Sequence, residues 1–437
     1  MQLAGPALYS KARSIIPGGT QLLSKRPEMI LPEYWPSYYQ KAQGVYVWDL
    51  EGNRYIDMSH CGVGACVLGF ADPDVNSAVR RAVDSGSMAT LNCPEDVELA
   101  ELLCELHPWA EMARYARSGG EAMTVAVRIA RASTGRDKVA FCGYHGWHDW
   151  YLAANLAGED ALEEHLLPGL DPAGVPSGLQ GSARPFRYNQ FDELEAIVAE
   201  CGKELAAIVV EPVRNREPAA GFLEQIRSTA TEIGAVLILD EVSSGFRLAT
   251  GGAHLRYNVD PDIAVFAKAI SNGYPMAAVI GRPSVMQAAQ DTFISSTYWT
   301  ERIGPTAALA TVRKHRREDV ARHLIRVGAL VQEGWRTVAK RFGLPVDVSG
   351  IAPMGHFTFE CEHASGAHTL FTQEMLEHGF LANQSFYATY AHQVHHIENY
   401  LEAVEVVFRI VAQAVESNTV MDQLKGPVAH TGFRRLT

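Results

Sequence analysis

The segment Val236-Leu237-Ile238-Leu239 runs directly into Asp240-Glu241, so a continuous apolar run ends in two acidic residues. Such a run is typical of a parallel strand that is buried on both faces. Leu205–Val210 and Ile263–Ala267 have the same character, and Lys268 directly follows the second run. Ligands bind at the carboxyl edge of open parallel sheets. The pattern places Asp240 and Lys268 at that edge, where a plain ion pair or two unrelated surface charges are the alternative interpretation.

Helical stretches such as Glu121–Ser133 and Gly221–Ile233 alternate with these runs between about residues 95 and 345. This alternation predicts an α/β fold whose mainly parallel sheet is covered by helices. The C-terminal segments predict a smaller α+β unit. We therefore predict a large α/β domain over residues 61–335 and a small α+β domain over residues 336–437.

Residues 1–60 are predicted to join the small domain. Residues 1–40 are rich in proline, glycine and aromatic residues, which predicts an irregular arm. Residues 45–57 alternate apolar and polar side chains around the turn formers Glu51-Gly52-Asn53, the pattern of a β-hairpin. The segment Leu156–Pro185 is rich in glycine and proline, and we interpret it as a surface excursion that acts as a lid.

Composition limits the classes of protein that this chain can represent. The 437 residues carry a formal net charge of −12 and are 47% hydrophobic, which indicates a folded globular protein. No basic stripe is present to bind nucleic acid. No run approaches the roughly 20 apolar residues that span a bilayer, and no signal peptide is recognisable. Seven scattered cysteines favour a reducing, cytoplasmic setting.

A glycine-rich turn, Ser118-Gly119-Gly120-Glu121, precedes an amphipathic helix. Backbone amides at such a helix N-terminus suit a phosphate group, although a lone turn of this kind is more often an ordinary helix start. Two further features point to the same site. Tyr144-His145-Gly146 follows the apolar run Val139–Cys142 and offers an aromatic face, and Glu211-Pro212 ends the strand Leu205–Val210.

Six motifs in order make a family resemblance specific. They are S-G-G-E-A (118–122), R-x-A-R-x-x-T-G-R (128–136), Y-H-G-W-H-D (144–149), E-P-V (211–213), L-D-E-V-x-x-G-F-R (239–247) and D-x-x-x-F-A-K (262–268). Over about residues 12–415 the chain resembles the class III aminotransferases that depend on pyridoxal 5′-phosphate (PLP), in their glutamate-1-semialdehyde aminomutase-like branch. The resemblance implies PLP fold type I, the fold of aspartate aminotransferase.

The resemblance also implies roles for individual residues. Lys268 would hold PLP as a Schiff base, Asp240 would pair with the pyridine nitrogen, and Glu211 would lie on the side of the ring hydroxyl. Tyr144 and Val242 would contact the two faces of the ring. The implied cofactor-binding residues are Ser118, Gly119, Gly120, Tyr144, His145, Asp240, Val242, Lys268 and Thr300.

The resemblance further implies an active site shared by two subunits. In the family, a threonine about thirty residues after the lysine reaches the phosphate of the neighbouring subunit. Thr300 fits that spacing, and Thr297 remains an alternative because the surrounding motif is altered to T-E-R-I-G-P. Either assignment implies a homodimer at least.

The predicted substrates are a small-molecule amine and a small-molecule carbonyl compound. The aminomutases resembled here bind a substrate carboxylate with an arginine, and this chain has Lys25 at the matching position. Lysine does not reproduce the bidentate contact of arginine. The segment Ser271-Asn272-Gly273-Tyr274-Pro275 looks like that of aminotransferases acting on amino sugars or aminoglycosides. We therefore expect a transaminase for such a substrate, with an amino acid as partner donor.

Several side chains are candidates for contact with that substrate by stacking and hydrogen bonding. Glu301 is predicted to recognise a substrate ammonium group. For each candidate, packing in the core or in a subunit interface is the alternative. The candidates are Tyr34, Trp35, Trp147, His148, Tyr298, Trp299 and Glu301.

Other functions remain open from the sequence. A PLP-dependent aminomutase of the glutamate-1-semialdehyde 2,1-aminomutase type and a PLP-dependent epimerase share all these motifs. A catalytically inactive binding module is disfavoured by the presence of Lys268, Asp240 and the glycine-rich turn. Residues Tyr144–Asp149 include two histidines and an aspartate, but their spacing is not that of a metal site, and no metal is predicted.

Overall fold

The computed structural model describes residues 4–158, 161–163 and 169–432. Contacts divide the chain into two compact units. The first unit comprises Met1–Asp72 and His323–Thr437, and the second comprises Pro73–Arg322. The domain limits drawn from the sequence at residues 61 and 335 stay a prediction.

The helices are short to medium in length, and the longest lie towards the C-terminal end. They are α1 (Gly5–Ile15), α2 (Pro73–Asp84), α3 (Pro94–Leu106), α4 (Gly119–Thr134), α5 (Asp149–Leu152), α6 (Phe191–Cys201), α7 (Phe222–Ile233), α8 (His254–Tyr257), α9 (Pro283–Met286), α10 (Ile303–Arg317), α11 (Val320–Arg341), α12 (Ala364–Glu377) and α13 (Val394–Glu416).

The strands form three sheets. They are β1 (Tyr39–Gln43), β2 (Tyr46–Asp49), β3 (Arg54–Asp57), β4 (Met112–Ala116), β5 (Lys138–Cys142), β6 (Ala183–Pro185), β7 (Leu205–Val210), β8 (Val236–Asp240), β9 (Ile263–Phe266), β10 (Ala277–Gly281), β11 (Val346–Ser349), β12 (Met354–Phe359), β13 (Phe380–Leu381) and β14 (Ser385–Tyr387).

The first unit joins both ends of the chain. The predicted hairpin is confirmed, since β2 pairs antiparallel with β3 and Tyr46 lies opposite Ile56. Strand β13 extends this sheet by pairing parallel with β3. A second, antiparallel sheet has the order β11-β12-β14.

The prediction of an irregular N-terminal arm is wrong for residues 5–15, which form α1. Proline stands in the first turn of this helix, where its missing N–H removes no helical hydrogen bond. Tyr9 and Ala12 are buried on one side of α1, so packing of an apolar face offsets the poor helix propensity of this composition.

The second unit is built on a seven-stranded sheet in the order β4-β10-β9-β8-β7-β5-β6. The pairs from β9 through β6 are all parallel. Strand β10 is antiparallel to both of its neighbours. The predicted mainly parallel sheet is therefore confirmed, with one reversed strand.

Both faces of this sheet are buried, as the continuous apolar runs predict. In β8, Val236 and Ile238 lie in the core that contains the apolar face of α4. Leu237 and Leu239 lie in a second core with residues of α6 and α7. Because strand side chains alternate between faces, Asp240 belongs to the α4 side.

One further prediction concerns the segment between α5 and β6. The proposed lid, Leu156–Pro185, contains residues 159–160 and 164–168, and that part of the prediction lies outside the described residues. Its described end forms a short 3₁₀ turn at Ser177–Leu179 followed by β6.

Across the part of the chain that the structure covers, no helix has both the length and the apolar character to cross a membrane.

Candidate active site

Three charged side chains follow three neighbouring strands of the large sheet. Glu211 follows β7, Asp240 ends β8, and Lys268 comes two residues after β9. The three strands are adjacent and parallel, so their carboxyl ends share one edge of the sheet. Glu211 and Asp240 are buried. The sequence prediction that Asp240 and Lys268 lie at this edge is confirmed.

Lys268 has an amine suited to nucleophilic chemistry. Burial lowers its pKa to about 8, and the positive charge of Arg214 contributes in the same direction. The carboxylates of Glu211 and Asp240 oppose this shift without cancelling it. Its Nζ atom lies 2.8 Å from the hydroxyl oxygen of Ser243. A substantial neutral fraction of the amine is therefore present near pH 8.

The backbone of Lys268 is unusual, with φ of 51°. This is the left-handed region, which residues with a β-carbon rarely adopt. Such conformations persist where surrounding structure holds them, and they concentrate at functional sites. Here the residue begins the 3₁₀ turn Lys268–Ser271 directly after the buried strand β9 and Ala267.

Asp240 is held by two contacts on its two oxygens. Oδ1 accepts a hydrogen bond from the backbone N–H of Val242 at 2.9 Å. Oδ2 lies 2.7 Å from Nδ1 of His145, whose Nε2 lies 3.2 Å from the carbonyl oxygen of Cys142. The imidazole therefore joins the Asp240 carboxyl to the end of β5 and holds that carboxyl in position.

Glu211 also uses both carboxylate oxygens. Oε2 accepts from the backbone N–H of Tyr144 at 3.0 Å, and Oε1 accepts from Arg214 at 3.0 Å. Gly143, with φ of 118°, makes this approach possible, since a β-carbon there would lie 2.7 Å from Oε2. The hydrogen bond from Tyr144 to Glu211 thus connects the loop after β5 to the end of β7. Tyr144 therefore lies at the same edge of the sheet.

Tyr144 and Val242 lie on loops that begin at this edge. The Tyr144 ring makes an edge contact with Tyr151, with centroids 5.9 Å apart, and burial raises the pKa of its phenol. Val242 packs so close to Gly119 that a β-carbon on that glycine would lie 2.9 Å from Cγ1. Tyr144 and Val242 thus lie near the carboxyl edge of the sheet, Val242 also contacts the glycine-rich turn, and their predicted contact with a cofactor ring stays a prediction.

The glycine-rich turn caps α4 as the sequence suggests. The Ser118 hydroxyl donates to Oε2 of Glu121 at 3.1 Å, and the backbone N–H groups of Arg117 and Ser118 donate to the same oxygen. The Ser118 side chain also accepts the backbone N–H of Glu121, which completes a capping box. The backbone N–H groups of Gly119 and Gly120 belong to the first turn of the 16-residue helix α4, where no earlier helical carbonyl can accept them. These two amides are suited to an anion, and the phosphate site stays a prediction.

The carboxylate of Glu301, which the sequence predicts to bind a substrate ammonium group, contacts groups of the protein itself. Its oxygens accept the backbone N–H groups of Ile303 and Gly304 at 2.6 and 2.7 Å. Its Oε1 also lies 2.9 Å from Nε of Arg117. From the position before the N-cap residue Arg302, the Glu301 side chain thus accepts the first two amides of α10, which favours a structural role over recognition of a substrate ammonium group.

The remaining predicted substrate and phosphate residues are mostly exposed. Trp147 and Tyr298 are 69% and 71% exposed. Thr300 is exposed and donates its hydroxyl to the carbonyl of Thr297 at 2.9 Å, within one 3₁₀ turn. Tyr34 and Trp35, together with the exposed Lys25, belong to the first unit, and their predicted roles stay predictions.

The sequence interpretation missed three side chains near Lys268. Arg214 pairs with Glu211 and acts on the pKa of Lys268, Ser243 contacts the amine, and the buried Arg247 also lowers that pKa. Only their sequence positions indicated them, since Arg214 lies three residues after Glu211, and Ser243 and Arg247 follow the strand-end Asp240. Within the described ranges, no group of three histidine, cysteine or acidic side chains is arranged to hold a metal ion.

Comparisons with known proteins agree with this geometry. The model of the family "Aminotransferase class-III" matches residues 32–407. A 3-aminobutyryl-CoA aminotransferase of Cloacimonas acidaminovorans is 31% identical over 82% of this chain and 84% of that protein. The 2′-deamino-2′-hydroxyneamine transaminase of Streptomyces kanamyceticus is 32% identical over 80% and 84%. A glutamate-1-semialdehyde 2,1-aminomutase of Desulforamulus reducens is 34% identical over 93% and 98%.

Solved structures resemble the whole fold. The PLP internal aldimine form of the FumI protein of Sphingopyxis sp. MTA144 has a TM-score of 0.86 and 25% identity, covering 94% of this chain and 97% of that one. An omega-transaminase of Sphaerobacter thermophilus has a TM-score of 0.82 and 25% identity, covering 94% and 98%. The predicted PLP fold type I is confirmed.

The residues at the sheet edge fit a phosphorylated pyridine aldehyde. A lysine with a lowered pKa suits its aldehyde, and a buried carboxylate in contact with an imidazole suits its ring nitrogen. The backbone N–H groups of Gly119 and Gly120 at the start of α4 suit its phosphate. Gly119 leaves no room for a side chain at that helix start.

Proposed function

The chain belongs to the class-III aminotransferases and uses PLP, and from this we propose that it transfers an amino group between a small polar amine and an aldehyde or ketone. The observation that carries the proposal is the placement of Lys268, whose pKa is lowered to about 8, at the same sheet edge as the buried Asp240, which ends the adjacent strand. Family membership supplies the reaction type. The sheet edge supplies the groups that the reaction needs.

Each residue of this edge has a definite task in the proposed reaction. When bound, PLP acts as an electron sink for the carbon that carries the amine. Lys268 would hold the cofactor through its amine, and the same amine would move a proton at the carbon that carries the substrate's amino group. Asp240 would hold a proton at the ring nitrogen, with His145 orienting its carboxylate. Glu211 would orient the ring, and the amides at the start of α4 would bind the phosphate.

We further propose an amino sugar or aminoglycoside as the substrate, with an amino acid as donor. Support comes from the likeness to the neamine-type transaminase. Lysine at position 25, instead of the arginine of the aminomutases, argues against the same mode of carboxylate recognition. The exposed rings of Trp147 and Tyr298 are suited to stacking on a hydroxylated ring.

A glutamate-1-semialdehyde-type amino migration is the second candidate. It is favoured by the 34% identity to the aminomutase of Desulforamulus reducens, which extends over 98% of that protein. The two reactions differ in outcome, because a transaminase releases a carbonyl product from its donor and a mutase retains the amine on the same molecule.

The proposed enzyme is a cytoplasmic homodimer with shared active sites. Large apolar side chains are exposed on the second unit, with Leu91 at 83%, Phe293 at 84% and Tyr298 at 71%. The backbone N–H of Arg302 donates to the carbonyl of Ser87, so the segments around Leu91 and Phe293–Arg302 are joined. An apolar surface of this kind is typical of a subunit interface. Thr300 or Thr297 on this surface would reach the partner's phosphate.

The experiment is a half-reaction followed by absorbance and mass spectrometry. Holoenzyme is mixed separately with glutamate, glutamine, alanine and a neamine-type aminoglycoside. Transamination predicts a change in cofactor absorbance and one carbonyl product per active site, with an inactive Lys268→Ala variant as control. Solvent deuterium entering the substrate without loss of amine would instead support amino migration or epimerisation.

A further inference from the structure

The loop Gly146–His148 lies directly on the first turn of α4. A β-carbon on Gly120 would lie 2.8 Å from both Cε1 and Nδ1 of His148. A β-carbon on Gly146 would lie 3.3 Å from Cα of Gly120. Gly120 is not among the residues with positive φ, so glycine is needed there for space and not for backbone conformation. The His148 imidazole thus fills the volume that a side chain at position 120 would take.

The imidazole of His148 is packed between Gly120 and Trp147, and one of its nitrogens makes no hydrogen bond. Its Nδ1 is buried and has no hydrogen-bond partner among the described residues. The Trp147 ring covers it, with centroids 4.4 Å apart and an interplanar angle of 28°. A buried nitrogen without a partner destabilises the folded protein unless a ligand satisfies it. The nitrogen lies beside the amides that are proposed to bind phosphate.

Side-chain donors are otherwise scarce at this turn. The Ser118 hydroxyl is directed to Glu121, and positions 119 and 120 are glycines. Burial lowers the pKa of His148, while the charges of Glu121 and Asp149 raise it. A phosphate dianion next to the ring would add a much stronger stabilisation of the imidazolium.

We propose that His148 is a phosphate ligand of the cofactor site, its ring N–H donating beside the backbone amides of Gly119 and Gly120. This inference rests on the proposed phosphate site at the start of α4. Gly120 and His148 then depend on each other. The absence of a side chain at Gly120 leaves space for the His148 imidazole, and the imidazole supplies the hydrogen-bond donor that a glycine lacks. The donor comes from the loop after β5 instead of from the helix.

The test compares two ligands that differ only in the phosphate. Dissociation constants of PLP and of pyridoxal are measured for the apoprotein by quenching of tryptophan fluorescence. His148→Phe keeps a ring against Gly120 but has no N–H donor. Loss of a charge-assisted hydrogen bond predicts roughly 10- to 100-fold weaker PLP binding, with pyridoxal affinity changed by less than about twofold. Equal weakening of both ligands, or unchanged PLP affinity, would overturn the proposal.

A second variant tests the pairing with Gly120. In the double variant Gly120→Ser/His148→Ala, the serine hydroxyl occupies the space that the imidazole leaves. We expect this double variant to bind PLP more tightly than His148→Ala alone. Gly120→Ala alone should displace the imidazole and weaken PLP binding. Wild-type affinity in Gly120→Ala would contradict the proposal, because its β-carbon and the imidazole cannot occupy their present positions together.

A measurement on the unaltered protein does not depend on the variants folding. Exchange of the His148 ring C2 hydrogen, followed by mass spectrometry over a pH series, reports the pKa of the imidazole. PLP is expected to raise this pKa and pyridoxal to leave it near its ligand-free value. If both ligands shift it equally, His148 is not a phosphate ligand. If wild-type protein binds the two ligands equally, the proposed phosphate site itself fails.

Discussion

Nδ1 of His145 lies 2.7 Å from Oδ2 of Asp240, and the two side chains are buried together at the end of β8. The Trp150 ring stacks on the imidazole with centroids 6.0 Å apart. The His145 imidazole is therefore held in place by Asp240 at its edge and by Trp150 on its face. We interpret His145 as a positioning residue that holds the Asp240 carboxyl in its orientation.

Replacing His145 by Phe should lower kcat by roughly 10- to 100-fold, because Asp240 loses a charge-assisted hydrogen bond in a buried site. KM should change little, since His145 does not contact the substrate in this account. The absorbance of the bound cofactor should shift as well, because the Asp240 carboxyl loses the contact that fixes its orientation. A uniform loss of activity with an unchanged cofactor spectrum would indicate a merely structural role.

The Lys268 amine should titrate near pH 8. Its pKa is lowered from the usual value, so its neutral fraction rises with pH through about 8 and then levels off. Reductive methylation of the apoprotein, mapped by peptide mass spectrometry, should follow this curve. Lys138 is an internal control, since a hydrogen bond with Glu204 raises its pKa and delays its modification. A Lys268 midpoint above pH 10 would contradict the enclosed, cationic environment.

The charge of Arg214 should set part of that pKa. Arg214→Met removes a positive charge that lowers the pKa of Lys268, so the methylation midpoint should move to higher pH. Glu211→Gln should move it to lower pH, because the Glu211 carboxylate acts in the opposite direction. Arg216→Met changes an exposed residue of the same loop and serves as control. Equal midpoints for the Arg214 and Arg216 variants would contradict the account.

Glu301 should matter for stability more than for substrate binding. Glu301→Ala removes a helix cap and one partner of a largely buried ion pair, so we expect a loss of about 2–4 kcal/mol in the free energy of unfolding. Glu98→Ala, which breaks the exposed pair with Arg313, should cost less than about 1 kcal/mol. Urea denaturation gives both values. A raised KM for a cationic substrate without loss of stability would restore the role predicted from the sequence.

The sequence predicts the sheet and its charged edge because both depend on local patterns. Leu205–Val210 is continuous and apolar, and it forms β7 with the same limits. Asp240 and Lys268 directly follow such runs, so the register of the strands places them without knowledge of distant contacts. The family motifs add the cofactor, which chain composition alone does not reveal.

The rest depends on contacts between distant residues. Arg117 and Glu301 are far apart in sequence, and no local pattern shows that they pair. Proline and glycine predict irregular structure near the N-terminus, yet burial of Tyr9 and Ala12 stabilises a helix there. The approach of His148 to Gly120 appears only in the folded chain. Tertiary packing decides all of these features.

Reduction of the holoenzyme with borohydride, followed by peptide mapping, shows directly which lysine carries the cofactor. The reduced cofactor should be attached to the peptide containing Lys268, and the Lys268→Ala variant should carry no such label. A label on a different lysine, or none in wild-type protein that retains the cofactor, would contradict the assignment of Lys268 and the active site built around it.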